Sequence, residues 1–571
     1  MFEELPENAS GILTWTWPDF EPYFLELLAL ELTPQTLNTY LQSWTRFGTL
    51  IGEVYQRLYV AKTRNTADPE VEDWFNTYLE TTYSMAEEAD QRLKEKLLDS
   101  GLEPEGFDIP LKKMRADAEL FRDENLPLQT AEEKMASEYD EIVGRQTIIW
   151  NGTELPLPQA RVLLQDPERM VREQSWTLTM ERQLADRGAI NELWKRKLDN
   201  RLRQASNAGF SDYRSYMWLQ KHRFDYGPEE SVAFQNGVAE VVVPAAERLR
   251  HRRRESLGLD RLRPWDLDVD EDGKDRLRPF ETATELIEGT GRMFNQVDRR
   301  LGDYFQIMVD GSLLDLDSRK NKAPGGYCTT FAAAQRPFIF MNAAGTHRDV
   351  ETLLHEGGHA FHSFQVRHLP YAQQRSVGHE FAEVASMSME LLAAPYLSRQ
   401  EGGFYSPAEA ARARRQHLER VITLLTSVAL VDGFQHWVYS NPDLAEQPDR
   451  CDEQWSLLFE RYNPGVDWSG YEDELSTGWH RILHIHQVPL YYIEYGIAQL
   501  AAIKVWEQAR EDQGRAVDRY LYALSLGGTR SLPELFQAIG ADFDFTARAF
   551  RPTVALLEQT IEDLRQVEAA A

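Results

Sequence analysis

From residue 20 to residue 256, apolar side chains recur every three to four positions, as in Tyr23, Phe24, Leu27 and Leu28 and again in Trp74, Phe75, Tyr78 and Leu79. That period is close to the 3.6 residues of a helical turn, so the stretch reads as amphipathic helix. One interruption stands out. Asn151-Gly152, set between Thr147-Ile148-Ile149-Trp150 and Leu155-Pro156-Leu157, predicts an isolated hairpin, because both turn residues tolerate positive φ. Residues 258 to 280 form a charged, proline-containing connection, strand-like runs concentrate between Tyr304 and Asn342, and helical periodicity then continues to the end. No internal repeat interrupts it. The pattern predicts a mainly α protein with one small β-sheet.

Just after the strand-like region, Val350, Leu353, Leu354, Gly357, Gly358, Phe361 and Phe364 make an apolar or small face at helical spacing. That helix carries His355-Glu356-Gly357-Gly358-His359. Residues four apart return to one face, so His355 and His359 can offer two nitrogens to one Zn²⁺. Glu356 lies beside the metal, where a carboxylate can take a proton from water. A catalytic site needs a third ligand. The metzincin pattern is excluded, since its Gly and His positions hold His362 and Gln365. His362 itself lies on the same helix, and three histidines from one helix do not readily surround a tetrahedral ion. A carboxylate from a second helix suits better, and His379 to Leu392 supplies Glu380 and Glu383. Spacing does not choose between them. Glu390, seven residues past Glu383, is placed to hold a ligand histidine by its other nitrogen.

At 571 residues, 42% hydrophobic and 27% charged, the chain can bury a large core and form more than one domain. A formal charge of −30 opposes binding to nucleic acid phosphates. Cys328 and Cys451 provide no disulfide framework. The first residues lack a basic and apolar leader, and no run of about 18 apolar residues is present, so a cytoplasmic protein with no membrane segment is expected. Asp268 to Gly273 imitates a calcium loop, but Pro279 stands where the bidentate Glu belongs.

Several motifs together resemble the oligoendopeptidase F family, relatives of thimet oligopeptidase and neurolysin. They are Leu354 to His362, then Phe381-Ala382-Glu383-Val384-Ala385-Ser386 with Glu390, and the glycine loop Lys322-Ala323-Pro324-Gly325-Gly326-Tyr327-Cys328. Pro337 to Asn342 and His484 to Tyr495 complete the set. One departure is Gly357, where many relatives carry Phe. The resemblance implies a multi-helical, two-lobed zincin with a deep substrate channel and a small sheet beside the zinc helix. Its N-terminal helical lobe would span residues 1–230 and its catalytic lobe 231–571. It further implies one Zn²⁺ per chain on His355, His359 and Glu383, with His484, Tyr492 and Tyr495 near the scissile carbonyl. Glu356 would be the general base in hydrolysis of internal bonds of short peptides. Pro337 to Asn342 is expected to offer an edge strand to that peptide. Two rivals remain, a zinc carboxypeptidase of the Taq type and a helical peptide-binding protein without turnover.

Overall fold

Helices make up most of the computed structural model, which describes residues 2, 4–319, 321–323 and 325–570; Pro324 of the glycine loop lies outside these. The predicted hairpin forms. Strand β1 (Thr147–Trp150) pairs antiparallel with β2 (Thr153–Pro156), with Trp150 opposite Thr153. Asn151 and Gly152 hold φ of 49° and 81°, the left-handed pair that a two-residue hairpin turn requires.

A second sheet contains β3 (Leu314–Asp317), β4 (Tyr327–Phe331) and β5 (Arg336–Ala343) in the order β3-β5-β4. The middle strand β5 runs parallel to β3 and antiparallel to β4, with Tyr327 opposite Phe340. Pro337 to Asn342 is therefore not an edge. Residues 337 to 341 are all buried, as expected of a continuous apolar run covered on both faces, and the antiparallel edge is β4. The strand-like run also begins later than Tyr304, which belongs to the helix Arg299–Asp310. There Leu301, Phe305 and Met308 are buried at helical spacing.

Six helices position the site: α1 (Leu37–Arg64), α2 (Ala283–Val297), α3 (His347–Val366), α4 (His379–Ala393), α5 (Pro407–Ser440) and α6 (Ile493–Glu511). Helix α3 starts at Thr346, whose backbone N–H and hydroxyl both donate to Asp349 Oδ2 at 2.8 and 3.0 Å. Helix α5 starts the same way at Ser406, where Glu409 closes the box and Pro407 fills the first turn. By length and composition α5 could cross a membrane, but 72% of its most apolar window is buried inside the protein, where it packs against α6 and the C-terminal helix Ala547–Ala570.

The apolar packing changes hands near residue 115. One core joins Phe2 through Met114, and a larger one joins residues between Leu120 and Leu564, including α3 to α6. The site lies in the larger core, with β4 and α1 reaching it from the side: Thr63 and Tyr327 share a hydroxyl hydrogen bond of 2.6 Å, and Thr329 Oγ1 donates to Gln56 Oε1 at 2.7 Å.

Candidate active site

Two glycines decide how the metal-binding residues meet. A Cβ on Gly358 would stand 2.4 Å from the Ala385 carbonyl oxygen and 2.6 Å from Ser386 Cα, so α3 and α4 touch backbone to backbone there. A Cβ on Gly357 would strike the Phe294 ring of α2 at 2.5 Å, so that ring occupies the space a larger residue would take. The close crossing sets Glu383 of α4 over one turn of α3. Glu383 Oε2 lies 3.4 Å from His355 Nε2 and 3.9 Å from His359 Nε2, and one ligand atom from each residue fits within 4.8 Å of the others. Glu380 points elsewhere, accepting from the Tyr226 hydroxyl at 2.7 Å.

The surrounding hydrogen bonds orient this donor set. His355 Nδ1 bonds Glu390 Oε1 at 2.7 Å, leaving Nε2 directed at Glu383. His417 of α5 lies behind, its Nε2 3.1 Å from Glu390 Oε2. Ser386 Oγ donates to Glu383 Oε2 at 3.0 Å, and the Tyr491 hydroxyl donates to Oε1 at 3.4 Å.

The electrostatics fit a dication. Burial works to lower the His355 pKa, yet the hydrogen bond and charge of Glu390, with Glu383 and Glu356, raise it to about 9. Three carboxylates are thus drawing a proton to a place where a metal would supply the charge. Burial lowers His359 to about 3, keeping its nitrogen unprotonated and available as a donor. Two neutralisable imidazoles and one carboxylate are a donor set of the kind that holds catalytic zinc while leaving a position open. His362 stays out of it, buried against Phe381 with Nε2 lacking a partner and its pKa lowered to about 4 by burial.

Glu356 is 8% exposed, and burial first, then Glu383, pushes its carboxyl up to about 7 despite the opposing pull of His355. The Cys328 backbone of β4 faces it and works against that rise. Across the site the Tyr495 hydroxyl lies 3.4 Å from His484 Nε2, and the Tyr492 ring packs edge-on against His484 at 4.9 Å. Burial raises the pKa of Tyr491, Tyr492 and Tyr495 alike, so all three remain hydroxyl donors.

The structure thus gathers His355, His359, Glu383 and Glu356 into one cluster and sets His484, Tyr492 and Tyr495 together as a second group. Sequence reasoning passed over Tyr491, which bonds Glu383 directly, because three neighbouring tyrosines share one helical stripe. It also passed over His417. Nothing local marks a side chain whose relevant partner, Glu390, lies 27 residues away.

Known proteins share this architecture. An oligoendopeptidase F homolog of Borreliella burgdorferi is 24% identical over 294 residues, 50% of this chain and 48% of the relative. Oligopeptidase PepF of Bacillus subtilis is 22% identical over 309 residues, 51% of this chain and 45% of the relative. The chain spans about half the length of these curated relatives. A solved structure of PZ peptidase A with an inhibitor superposes with a TM-score of 0.87 at 25% identity, covering 99% of both chains. Residues 162–552, more than half of the sequence, match the profile of peptidase family M3, and the chain belongs to that family.

Proposed function

We propose that this protein is a zinc-dependent endopeptidase that hydrolyses internal bonds of short peptides. The observation that carries the reading is the His355, His359 and Glu383 donor set, with the buried Glu356 carboxylate next to it. Zinc held there supplies Lewis acidity, which makes water nucleophilic near neutral pH and polarises the peptide carbonyl. Glu356 accepts the proton of the attacking water and passes it to the leaving amine. A carboxyl brought to about 7 by burial is suited to both halves of that transfer. Tyr495 and His484 donate to the oxyanion as it develops, where a hydrogen bond is worth more than to the ground-state carbonyl.

An extended peptide adds to β4, and main-chain pairing there makes few demands on its side chains. We place the site in a channel between an N-terminal lobe (residues 1–230) and a catalytic lobe (residues 231–571), so a folded domain of about 25 Å or more is excluded.

Glu356→Gln tests the reading. Turnover of a ten-residue quenched peptide should fall about 10²- to 10⁴-fold while zinc stoichiometry stays at one per chain. A chelator should abolish turnover and zinc should restore it. Retained activity in the variant, or activity indifferent to chelation, removes the metallopeptidase assignment, and equal rates on a folded protein remove the channel.

A further inference from the structure

Beside the metal-binding cluster lies a cavity of about 550 Å³ whose walls include Lys113, Lys221, Arg223, Arg530, His379 and Glu380. It begins one side chain away from that cluster. Lys221 Nζ sits 5.0 Å from the centre of the Tyr491 ring, and the Tyr491 hydroxyl donates to Glu383. Glu380 precedes Glu383 by one turn of α4.

Two cations of this wall, Lys113 and Arg530, lack carboxylate partners. Lys113 Nζ donates only to the Ser376 carbonyl at 3.0 Å, and Arg530 Nη1 only to the Thr529 carbonyl at 2.9 Å. Among the described residues neither has an ion pair within 4.0 Å. Lys221 has Glu494 at 3.8 Å, but Glu494 is held by Arg223 at 2.6 Å. Arg223 is fully desolvated, and its Nε and Nη1 have no hydrogen-bond acceptor. The carboxylates of the wall are already engaged: Glu132 with Arg201 at 2.8 Å, Asp225 with the Leu532 backbone N–H at 3.0 Å, and Glu380 with the Tyr226 hydroxyl at 2.7 Å and Arg223 Nε at 3.6 Å. Among the described residues Glu133 has no hydrogen bond or ion pair, and it is exposed to solvent. Burial also lowers the pKa of Lys113 and Lys221, a penalty that an entering anion relieves.

We infer that this cavity is a substrate subsite for a carboxylate, in which Lys221, Lys113 and Arg530 hold a negatively charged group of the peptide on the Tyr491 side of the cleaved bond. A carboxylate matches because it forms short, charge-assisted bonds with ammonium and guanidinium donors. The C-terminus of a short peptide and an acidic side chain carry the same group. This inference rests on the peptidase reading and narrows its substrate class to peptides with an anion within reach of the cavity.

Three quenched peptides of one sequence test it: a free acid, its C-terminal amide, and the amide with Glu at the last position. Wild-type kcat/KM should be at least 10-fold higher for the free acid than for the amide, mainly through KM, and 0.5 M NaCl should narrow the gap. Lys221→Met, and separately Lys113→Met in case the first perturbs folding, should bring the acid-to-amide ratio toward one. Restoration by the Glu-containing amide assigns the site to side chains, and its failure assigns the site to the C-terminus. Equal cleavage of all three peptides by the wild type, or both variants lowering all three by the same factor, overturns the subsite and leaves the peptidase standing. No cleavage of any peptide overturns both.

Discussion

Replacing Gly358 with alanine asks whether this glycine is present so that two helices can touch. The added Cβ would stand 2.4 Å from the Ala385 oxygen and 2.6 Å from Ser386 Cα. Optimal contacts between such atoms are about 3.5–4.0 Å, and both atoms belong to the α4 backbone, which cannot rotate aside. Helices α3 and α4 must therefore part by about 1 Å. Overpacking of this kind costs about 1–3 kcal/mol, and the better helix propensity of alanine returns about 1 kcal/mol, so the net loss of stability is modest, about 0–2 kcal/mol. The larger effect falls on the metal. Glu383 rides on α4 while His355 and His359 ride on α3, and ligand distances tolerate only about 0.2 Å. Zinc affinity of Gly358→Ala, measured by competition with a chromogenic chelator, should drop at least 10-fold, with kcat/KM at limiting zinc falling in parallel. Gly357→Ala is the control, since its Cβ meets the Phe294 ring of α2 and not the α4 backbone, so that contact does not separate the two helices that hold the ligands. Wild-type zinc affinity in Gly358→Ala would refute the argument that this crossing sets the site.

Three further outcomes follow from the geometry. Glu383→Ala should release zinc, whereas Glu380→Gln should retain it and lose stability instead through Arg223; metal analysis giving the reverse ranking would make Glu380 the ligand. Tyr495→Phe should lower kcat about 10²-fold, the roughly 3 kcal/mol of one oxyanion donor, with little change in KM, and an unchanged kcat would return Tyr495 to a packing role. Stability should fall on acidification below about pH 6.5, because burial, then Arg481 and Arg187, hold His480 at about 3, and the unfolded chain takes up a proton that the folded chain refuses. The His480 contribution is complete above its unfolded value and is lost as pH drops toward 3, at about 1.4 kcal/mol per pH unit at most. Urea unfolding of His480→Gln between pH 7 and 5 should show a flatter slope, and an identical slope would contradict the assignment.

Much of this protein was legible along the chain. Helical periodicity, the hairpin at Asn151-Gly152 and the pairing of His355 with His359 all depend on residues within a turn or two of each other, so the local pattern contains the geometry. The start of α3 at Thr346 and Asp349 is local in the same sense. The position of β5 was less accessible, because an apolar run states that a strand is buried without stating which neighbours cover it, and both of its pairing partners, β3 and β4, precede it in the sequence, so chain order does not show that it lies between them.

What required the folded chain was every relation between elements. Spacing left Glu380 and Glu383 equivalent as ligands, and resemblance alone favoured Glu383; in three dimensions the Gly358 contact turns Glu383 toward the histidines and Glu380 toward Tyr226 and Arg223. Tyr491, Tyr492 and Tyr495 are indistinguishable as letters, and only packing gives Tyr491 the Glu383 carboxylate and Tyr495 the His484 ring. Glu390 was foreseeable from its distance to Glu383, but His417 behind it was not, since α5 meets α4 by tertiary packing. A helix determines which of its own residues share a face, while the direction in which that face looks is decided by the close-packed neighbours, and those contacts leave no period in the sequence.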